Sequence, residues 1–291
     1  MSSQTDTIRI AYQGVPGAFS HRAGYLFAKA AKVEESPEFL ACETFAEVFD
    51  RVLSGAASHG VLPLENSTIG SIVANYDLLW AHEAYIAGEV SMPIHHQLLG
   101  IEGAAVEEIR EVYSHPAALD QCSKFFATAR HLRAVAHFDT SGAARHVSAL
   151  KNPAYAAIAG EFAASEYGLH VLKSNIEDYP YNRTRFGVIT RPPAAGCDGA
   201  PPQAPYKISC AVELPHTPGS LALLLTRIAG LDINLTKIES RPIPEAPWHY
   251  RFFIDMELDG QDQDDSVVKV LKDTTETYRL LGRYKPWKEP S

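Results

Sequence analysis

Apolar and polar positions change period several times along the chain, and each change marks an element. Ile8-Arg9-Ile10-Ala11-Tyr12 alternates, which predicts a strand running into Gln13-Gly14-Val15-Pro16-Gly17-Ala18-Phe19-Ser20. Ala23, Phe27 and Ala30 then recur at helical spacing. Strand, glycine loop and helix start in that order either present backbone N–H groups to an anion or form a plain βα turn. The loop is not Gly-x-Gly-x-x-Gly, so it does not read as a dinucleotide site. Thr44-Phe45-Ala46-Glu47 is a capping box for a short helix that stops at Gly55. Gly60-Val61-Leu62-Pro63-Leu64 is a buried strand that delivers Glu65-Asn66-Ser67-Thr68-Ile69-Gly70. A run of polar side chains after an apolar strand exceeds what a turn requires and marks a site. Ile69, Ile72, Val73, Tyr76 and Leu79 follow as one helix face.

Residues 85–99 read as one long extended stretch containing His95-His96. Adjacent histidines on a strand point to opposite faces and do not chelate one metal together. Glu111-Val112-Tyr113-Ser114 is a strand, and residues 116–129 read as a helix with Pro116 in its first turn. Residues 132–138 form a strand, and Asp139-Thr140-Ser141-Gly142 caps the next helix, a second potential anion site. An alanine-rich segment, residues 155–164, ends in a helix stopped by Gly168. After Leu169-His170-Val171-Leu172 and a polar turn, Asn182-Arg183-Thr184-Arg185-Phe186 enters the β-branched run Gly187-Val188-Ile189. Thr184 therefore sits where a loop enters a strand, between two guanidinium groups. That suits an anionic substrate needing one hydrogen-bond donor; the plainer alternative is a strand edge with solvated arginines. Alternating strands and helices define an α/β class, with ligands expected beyond the carboxyl ends of the strands.

Residues 191–205 form a Pro/Ala/Gly-rich linker, and the pattern then changes. Tyr206, Ile208, Cys210, Val212 and Leu214 alternate; Thr217-Pro218 reads as an N-cap and first helical proline; Leu221, Leu224, Leu225 and Ile228 line a helix ending at Gly230. Two strands, a helix around Val267, Val268 and Leu271, and a last strand at residues 278–284 complete a βαββαβ, ferredoxin-like order.

A length of 291 residues suits two domains. The formal net charge of −9 argues against nucleic acid and anionic membrane as partners. It also means that an anionic substrate needs a locally favourable pocket. Cys42, Cys122, Cys197 and Cys210 have no Cys-x-x-Cys spacing, which points away from a disulfide framework or zinc site. The polar first residues carry no secretory signal, and no run is long enough to span a membrane, so a cytoplasmic protein is expected.

Taken together, these motifs resemble the prephenate dehydratase family with a C-terminal ACT regulatory domain, over essentially the whole chain. The resemblance rests on the loop from Gly14 to Ser20; Pro63-Leu64-Glu65-Asn66-Ser67; His115-Pro116 with Gln121-Cys122; Asp139-Thr140-Ser141-Gly142-Ala143-Ala144; Ala156-Ala157-Ile158-Ala159; and Asn182 with Thr184-Arg185-Phe186. In the C-terminal part it rests on Gly219-Ser220-Leu221 and Glu239-Ser240-Arg241-Pro242. It implies a two-lobed, type II periplasmic-binding-protein-like catalytic domain at residues 1–194, a linker at 195–205 and an ACT domain at 206–286. It further implies a carbon–oxygen lyase that converts prephenate to phenylpyruvate with loss of water and carbon dioxide, without metal or organic cofactor. Feedback by L-phenylalanine and a homodimer or homotetramer are implied too. Thr184 becomes the catalytic donor. Ser20, Asn66, Ser67, Thr68, Thr140, Ser141, Gly142, Asn182, Arg185 and Phe186 become the substrate-binding set, with Arg185 either a countercharge or a structural ion pair with Glu65 or Glu177. Pro218, Gly219, Ser220, Leu221, Asn234, Leu235, Glu239, Ser240, Arg241 and Pro242 become the effector site. Many bacterial members carry Gly-Thr-Tyr-Ser where this chain has Gly17-Ala18-Phe19-Ser20, and residues 13–18 look more like arogenate dehydratases. Arogenate thus stands beside prephenate as a substrate. A non-catalytic amino-acid sensor is the alternative of a different class.

Overall fold

A computed structural model describes residues 8–32, 36–82, 84–193 and 202–289. The first lobe contains β1 (Arg9–Gln13), α1 (Phe19–Ala30), β2 (Glu38–Cys42), α2 (Phe45–Leu53), β3 (His59–Asn66), β4 (Gly70–Ser71), α3 (Val73–His82) and β5 (Tyr85–Pro93). The second contains β6 (Gln97–Gly100), a 3-10 turn (Val106–Glu108), β7 (Glu111–Ser114), α4 (Pro116–Asp120), α5 (Ser123–Thr128), β8 (Arg133–Ala136), α6 (Thr140–Leu150), β9 (Tyr155–Ala159), α7 (Glu161–Tyr167) and β10 (His170–Lys173). The chain then returns to the first lobe as β11 (Arg183–Thr190). The C-terminal unit contains β12 (Tyr206–Glu213), α8 (Ser220–Ala229), β13 (Asn234–Ile243), β14 (Ala246–Leu258), α9 (Gln261–Thr274) and β15 (Thr277–Tyr284).

Both lobes share one plan. The first-lobe strands run β2-β1-β3-β11-β5, and the second-lobe strands run β8-β7-β9-β6-β10. In each, three parallel strands come first, and the strand beside them is antiparallel and arrives by a crossing between lobes. This is the type II periplasmic-binding-protein-like arrangement. The two crossings run side by side, with the Ile94 N–H donating to Asn182 O at 2.9 Å and the Ile176 N–H to His96 O at 2.9 Å. The expected single stretch 85–99 is accordingly two strands in different lobes, with residues 94–96 bridging them. Side-chain alternation continues through such a break, which hides it from a periodicity reading.

Local chemistry accounts for the element starts. The Thr44 hydroxyl accepts from the Glu47 N–H at 3.2 Å, and the Glu47 carboxylate accepts from the Glu43 N–H at 2.8 Å, so the box opens α2 and buries Val48, Phe49 and Val52. The expected helix 116–129 breaks between α4 and α5, and the break exposes Gln121 to the lobe junction. Ile69 is not on a helix face: it is exposed in the turn between β3 and β4, and α3 begins at Val73. Thr217 and Pro218 precede α8, which begins at Ser220 after Gly219 takes a left-handed φ of 88°. A glycine permits that turn, and Thr217 O receives the Ser220 N–H instead. Residues 191–193 and 202–205 carry no helix or strand; Cys197 lies outside the described residues. Among the described residues, no helix is long and apolar enough to cross a membrane.

The C-terminal sheet order, β13-β14-β12-β15, is ferredoxin-like, and both of its faces are covered. Ile208, Cys210, Val212, Ile254 and Met256 pack under α8 and α9. Ala211, Phe253, Leu281 and Tyr284 join Val48, Phe49, Tyr76 and Leu79 in the first lobe's core. The two sheets meet where Gly282 pairs with Ile86. A Cβ on Gly282 would stand 2.2 Å from Ile86 O. Gly282→Ala is therefore expected to lower stability by about 1–3 kcal/mol through forced strand separation. Urea denaturation checks this, and an unchanged midpoint contradicts it.

Candidate active site

β3 and β11 pair antiparallel, with Asn66 opposite Thr184 and Glu65 opposite Arg185. Side chains alternate across a sheet, so Asn66 and Thr184 face the cleft between the lobes while Glu65 and Arg185 face the C-terminal unit. The register shifts between Arg185 and Phe186, leaving Leu64 as the extra residue on β3. That bulge lets Pro63 and Asn66, three positions apart, line the same cavity.

The Asn66 amide can be oriented without ambiguity. Its Oδ1 accepts from the Thr68 N–H at 3.0 Å, the Ile69 N–H at 3.2 Å and the Thr68 hydroxyl at 2.6 Å. A backbone N–H only donates, so Nδ2 must face the other way. It donates to Asn182 Oδ1 at 2.7 Å and to Thr184 Oγ1 at 2.9 Å. Thr184 is thus an acceptor inside the protein and keeps its own hydrogen for the cleft. Orientation then propagates. Asn182 Nδ2 donates to Gln121 Oε1 at 3.1 Å, and His96 Nε2, 2.9 Å from the same oxygen, must carry its hydrogen. Among the described residues His96 Nδ1 is buried without a hydrogen-bond partner, and burial lowers the pKa of the ring, which favours its neutral form. The network joins β3 and β11 to α4 and both interlobe crossings.

The cavity is about 280 Å³ and draws its walls from both lobes. Phe19, Ile72, Ile94 and Phe186 supply apolar surface, and Ser20, Asn66, His96, Gln121, Thr140 and Thr184 supply polar atoms. Asp139 also lines it and accepts the Gly142 N–H, capping α6. Phe19 and Ser20 are the first residues of α1, which no side chain caps, so its first N–H groups are open to an anion. None of the described lining residues is a lysine or arginine.

Ser20, Asn66, Thr140, Thr184 and Phe186 of the sequence-derived set meet in this cavity. Asn182 stands behind it and braces Asn66. Thr68 holds Asn66, while Ser67 donates to Tyr181 O at 3.3 Å and accepts the Arg183 N–H at 2.9 Å. Ser141 is fully buried and donates to Pro16 O at 2.6 Å, as does the Tyr167 hydroxyl, which pins the first lobe's loop to the second lobe. There Gly17 has φ 85°, and a Cβ on it would stand 2.6 Å from Ser141 Oγ. Arg185 points away from the cavity. It pairs with Asp255 at 2.8 Å, Glu65 at 3.3 Å and Glu89 at 3.4 Å, and donates to the Tyr76 hydroxyl at 3.1 Å. Glu177 instead receives the His96 N–H and His95 Nδ1. Burial opposes charge on Arg185, but the acidic groups around it, Asp255 foremost, outweigh this and its pKa lies well above the usual value. Ile94 had no sequence signal, and His96 was read only as part of a histidine pair unsuited to a metal; both are brought in by the crossing of the lobes, whereas Phe19 enters from the start of α1.

The effector candidates divide into two groups. Pro218 and Gly219 are exposed before α8, Ser220 donates to Thr217 O at 2.9 Å, and Leu221 packs on the C-terminal core. On β13, Asn234, Ser240 and Pro242 are exposed, and Leu235 packs on the C-terminal core. Glu239 and Arg241 engage the first lobe, through Ser71 at 2.6 Å and Asp77 at 2.7 Å.

Two α/β lobes closing on a cleft lined by oriented neutral donors, with a ferredoxin-like unit packed behind, constitute an enzyme for small molecules. More particularly, the chain belongs to the prephenate dehydratase family, whose model matches residues 10–194, and that activity is a lyase activity. It is 36% identical over 293 residues to the Arabidopsis thaliana chloroplastic arogenate dehydratase/prephenate dehydratase 2, covering 97% of this chain and 74% of the relative. The structure resembles a prephenate dehydratase from Arthrobacter aurescens in complex with L-Phe, with TM-score 0.83 and 28% identity over 96% of this chain and 90% of that one. It also resembles GqqA, described as a novel type of quorum quenching acylase, with TM-score 0.82 and 30% identity over 96% of this chain and 98% of that one.

Arg185→Met would leave Asp255 buried without the guanidinium it pairs with, and Glu89 with Lys207 alone. It is expected to destabilise the fold by about 3–5 kcal/mol. Chemical denaturation measures this, and parent-like stability with weakened substrate affinity would contradict the structural role.

Proposed function

We propose that the chain converts prephenate to phenylpyruvate through residues 1–194, and that residues 206–286 act as an ACT domain through which L-phenylalanine restrains turnover. The observation that carries the reading is the Thr184 hydroxyl, held by Asn66 so that its hydrogen is free for the cavity.

Prephenate loses carbon dioxide and its ring hydroxyl together, and the electron pair of the breaking C–C bond completes the benzene ring. The substrate holds the driving force, so the protein orients it and eases the leaving oxygen. A threonine hydroxyl is too weak an acid to transfer its proton alone. Its hydrogen bond strengthens as charge builds on the departing oxygen, a contribution of about 2.7–4 kcal/mol. The carboxylates rest on the Ser20 and Thr140 hydroxyls and on the uncapped start of α1. A helix end adds about 0.3–1 kcal/mol, and up to about 2 when partly buried.

Arogenate is the second reading, favoured by the plant relative's double name. It differs in an amino group where prephenate has a keto group, one methylene away from the ring carbon that loses carbon dioxide and outside the bonds that break, so one mechanism serves both. The resemblance also carries a homodimer or homotetramer, since ACT effector sites form between subunits.

Turnover of prephenate, followed as phenylpyruvate absorbance in alkali and repeated with arogenate, tests the reading; no turnover of either removes it. Thr184→Val is expected to lower kcat by roughly 10²–10³-fold with little change in KM, because the bond matters most in the transition state. A raised KM with kcat kept would contradict that role. Gly219→Val, which strains a left-handed turn, is expected to shift the phenylalanine inhibition curve to higher concentration. A curve superimposable on the parent's removes the effector assignment.

A further inference from the structure

We infer that Ser71 is a positioning residue for Thr184, through which the C-terminal unit holds the catalytic hairpin, and that an effector's ammonium acts by drawing Glu239 away from it. The second half rests on the effector reading above.

Ser71 lies on β4, whose two residues pair with Glu65 and Asn66 of β3. Between them, the turn at Thr68 and Ile69 supplies the N–H groups that orient Asn66. The hydroxyl of Ser71 is spoken for on both sides by β13. It accepts from Lys237 Nζ at 2.5 Å and donates to Glu239 Oε2 at 2.6 Å. Lys237 is buried, lies 3.9 Å from both Glu65 and Glu239, and stands over the Tyr76 ring. The C-terminal unit therefore grips the hairpin one residue from its Gly70–Asn66 pairing, and Asn66 in turn holds Thr184. A small shift of β4 reaches the reacting hydroxyl through two hydrogen-bonded links, Thr68/Ile69 to Asn66 and Asn66 to Thr184.

Glu239 gives this grip two states. Its carboxylate is committed to Ser71 in the structure, yet the same carboxylate is the natural acceptor for the ammonium of an amino acid bound at β13. An ammonium binds a carboxylate more strongly than a neutral hydroxyl does. Binding of the effector then competes with the grip, and the same coupling appears in affinity and in turnover.

The full chain is assayed as the parent, Ser71→Ala and Ser71→Thr, with and without L-phenylalanine, alongside calorimetric binding of phenylalanine and thermal melting. Ser71→Ala is expected to lower kcat roughly tenfold, the loss expected for one hydrogen bond to a charged group, with KM within about twofold. It is also expected to flatten phenylalanine inhibition while binding persists. Ser71→Thr, which keeps the hydroxyl, is expected to restore both. Parent-like kcat in Ser71→Ala, or a lower melting temperature with kcat intact, overturns the positioning role. Should Ser71→Ala not fold, amide exchange in the parent decides: phenylalanine is expected to speed exchange at Thr68 and Ile69, and unchanged exchange overturns the inference. A parent that turns over prephenate but ignores phenylalanine overturns the effector reading alone, leaving kcat of Ser71→Ala to judge the positioning role.

Discussion

The antiparallel pairing of β3 with β11 is the constraint on which the rest of the molecule depends. Two consecutive residues on each strand do opposite jobs because a pleated backbone sends them to opposite faces. Asn66 and Thr184 look into the cleft, and Glu65 and Arg185 look at the C-terminal unit. Catalytic geometry and interdomain geometry are thereby set by a single register. A slip of one residue would exchange the hydroxyl for a guanidinium and break both at once.

The cleft has no lysine or arginine among its described lining residues. Net charge on the chain makes this more pointed, since the overall field repels anions. Neutral donors held in fixed directions are the physical alternative to countercharge. Their desolvation penalty is smaller than that of a buried cation, and they need no reorganisation as charge moves from carboxylate to departing oxygen. The amide chain from Thr68 through Asn66, Asn182 and Gln121 to His96 supplies that rigidity. It also draws on both interlobe crossings, so the orientation of the donor depends on how the two lobes meet.

The cations near the motif are used elsewhere. Arg185, Lys207 and Lys237 neutralise Glu65, Glu89, Asp255 and Glu239 where the C-terminal sheet packs on the first lobe. Ala211, Phe253 and Leu281 close the same interface with apolar surface. A unit attached through a linker alone would move independently; one whose sheet buries its second face against the first lobe shares that lobe's stability and strain.

Much of this was legible in the linear chain. Local periodicity and capping chemistry marked β1, α1, α2, β3, β7, α6 and the βαββαβ unit, because those signals depend on neighbours in sequence. Clusters such as Glu65-Asn66-Ser67-Thr68 and Asn182-Arg183-Thr184-Arg185-Phe186 announced a site, since so many polar groups beside apolar strands need a purpose. What the chain order did not reveal was direction. Whether Arg185 met substrate or Asp255, whether Ser141 lined the pocket or tied down Pro16, and whether residues 85–99 were one strand or two depended on contacts between residues 70 to 125 positions apart. His96 had only a neighbour's identity to recommend it until the lobes crossed. Sequence determines which side chains are available and which local turns they favour; only packing decides which face of each strand sees the cleft, because that choice belongs to the partner strand as much as to the residue itself.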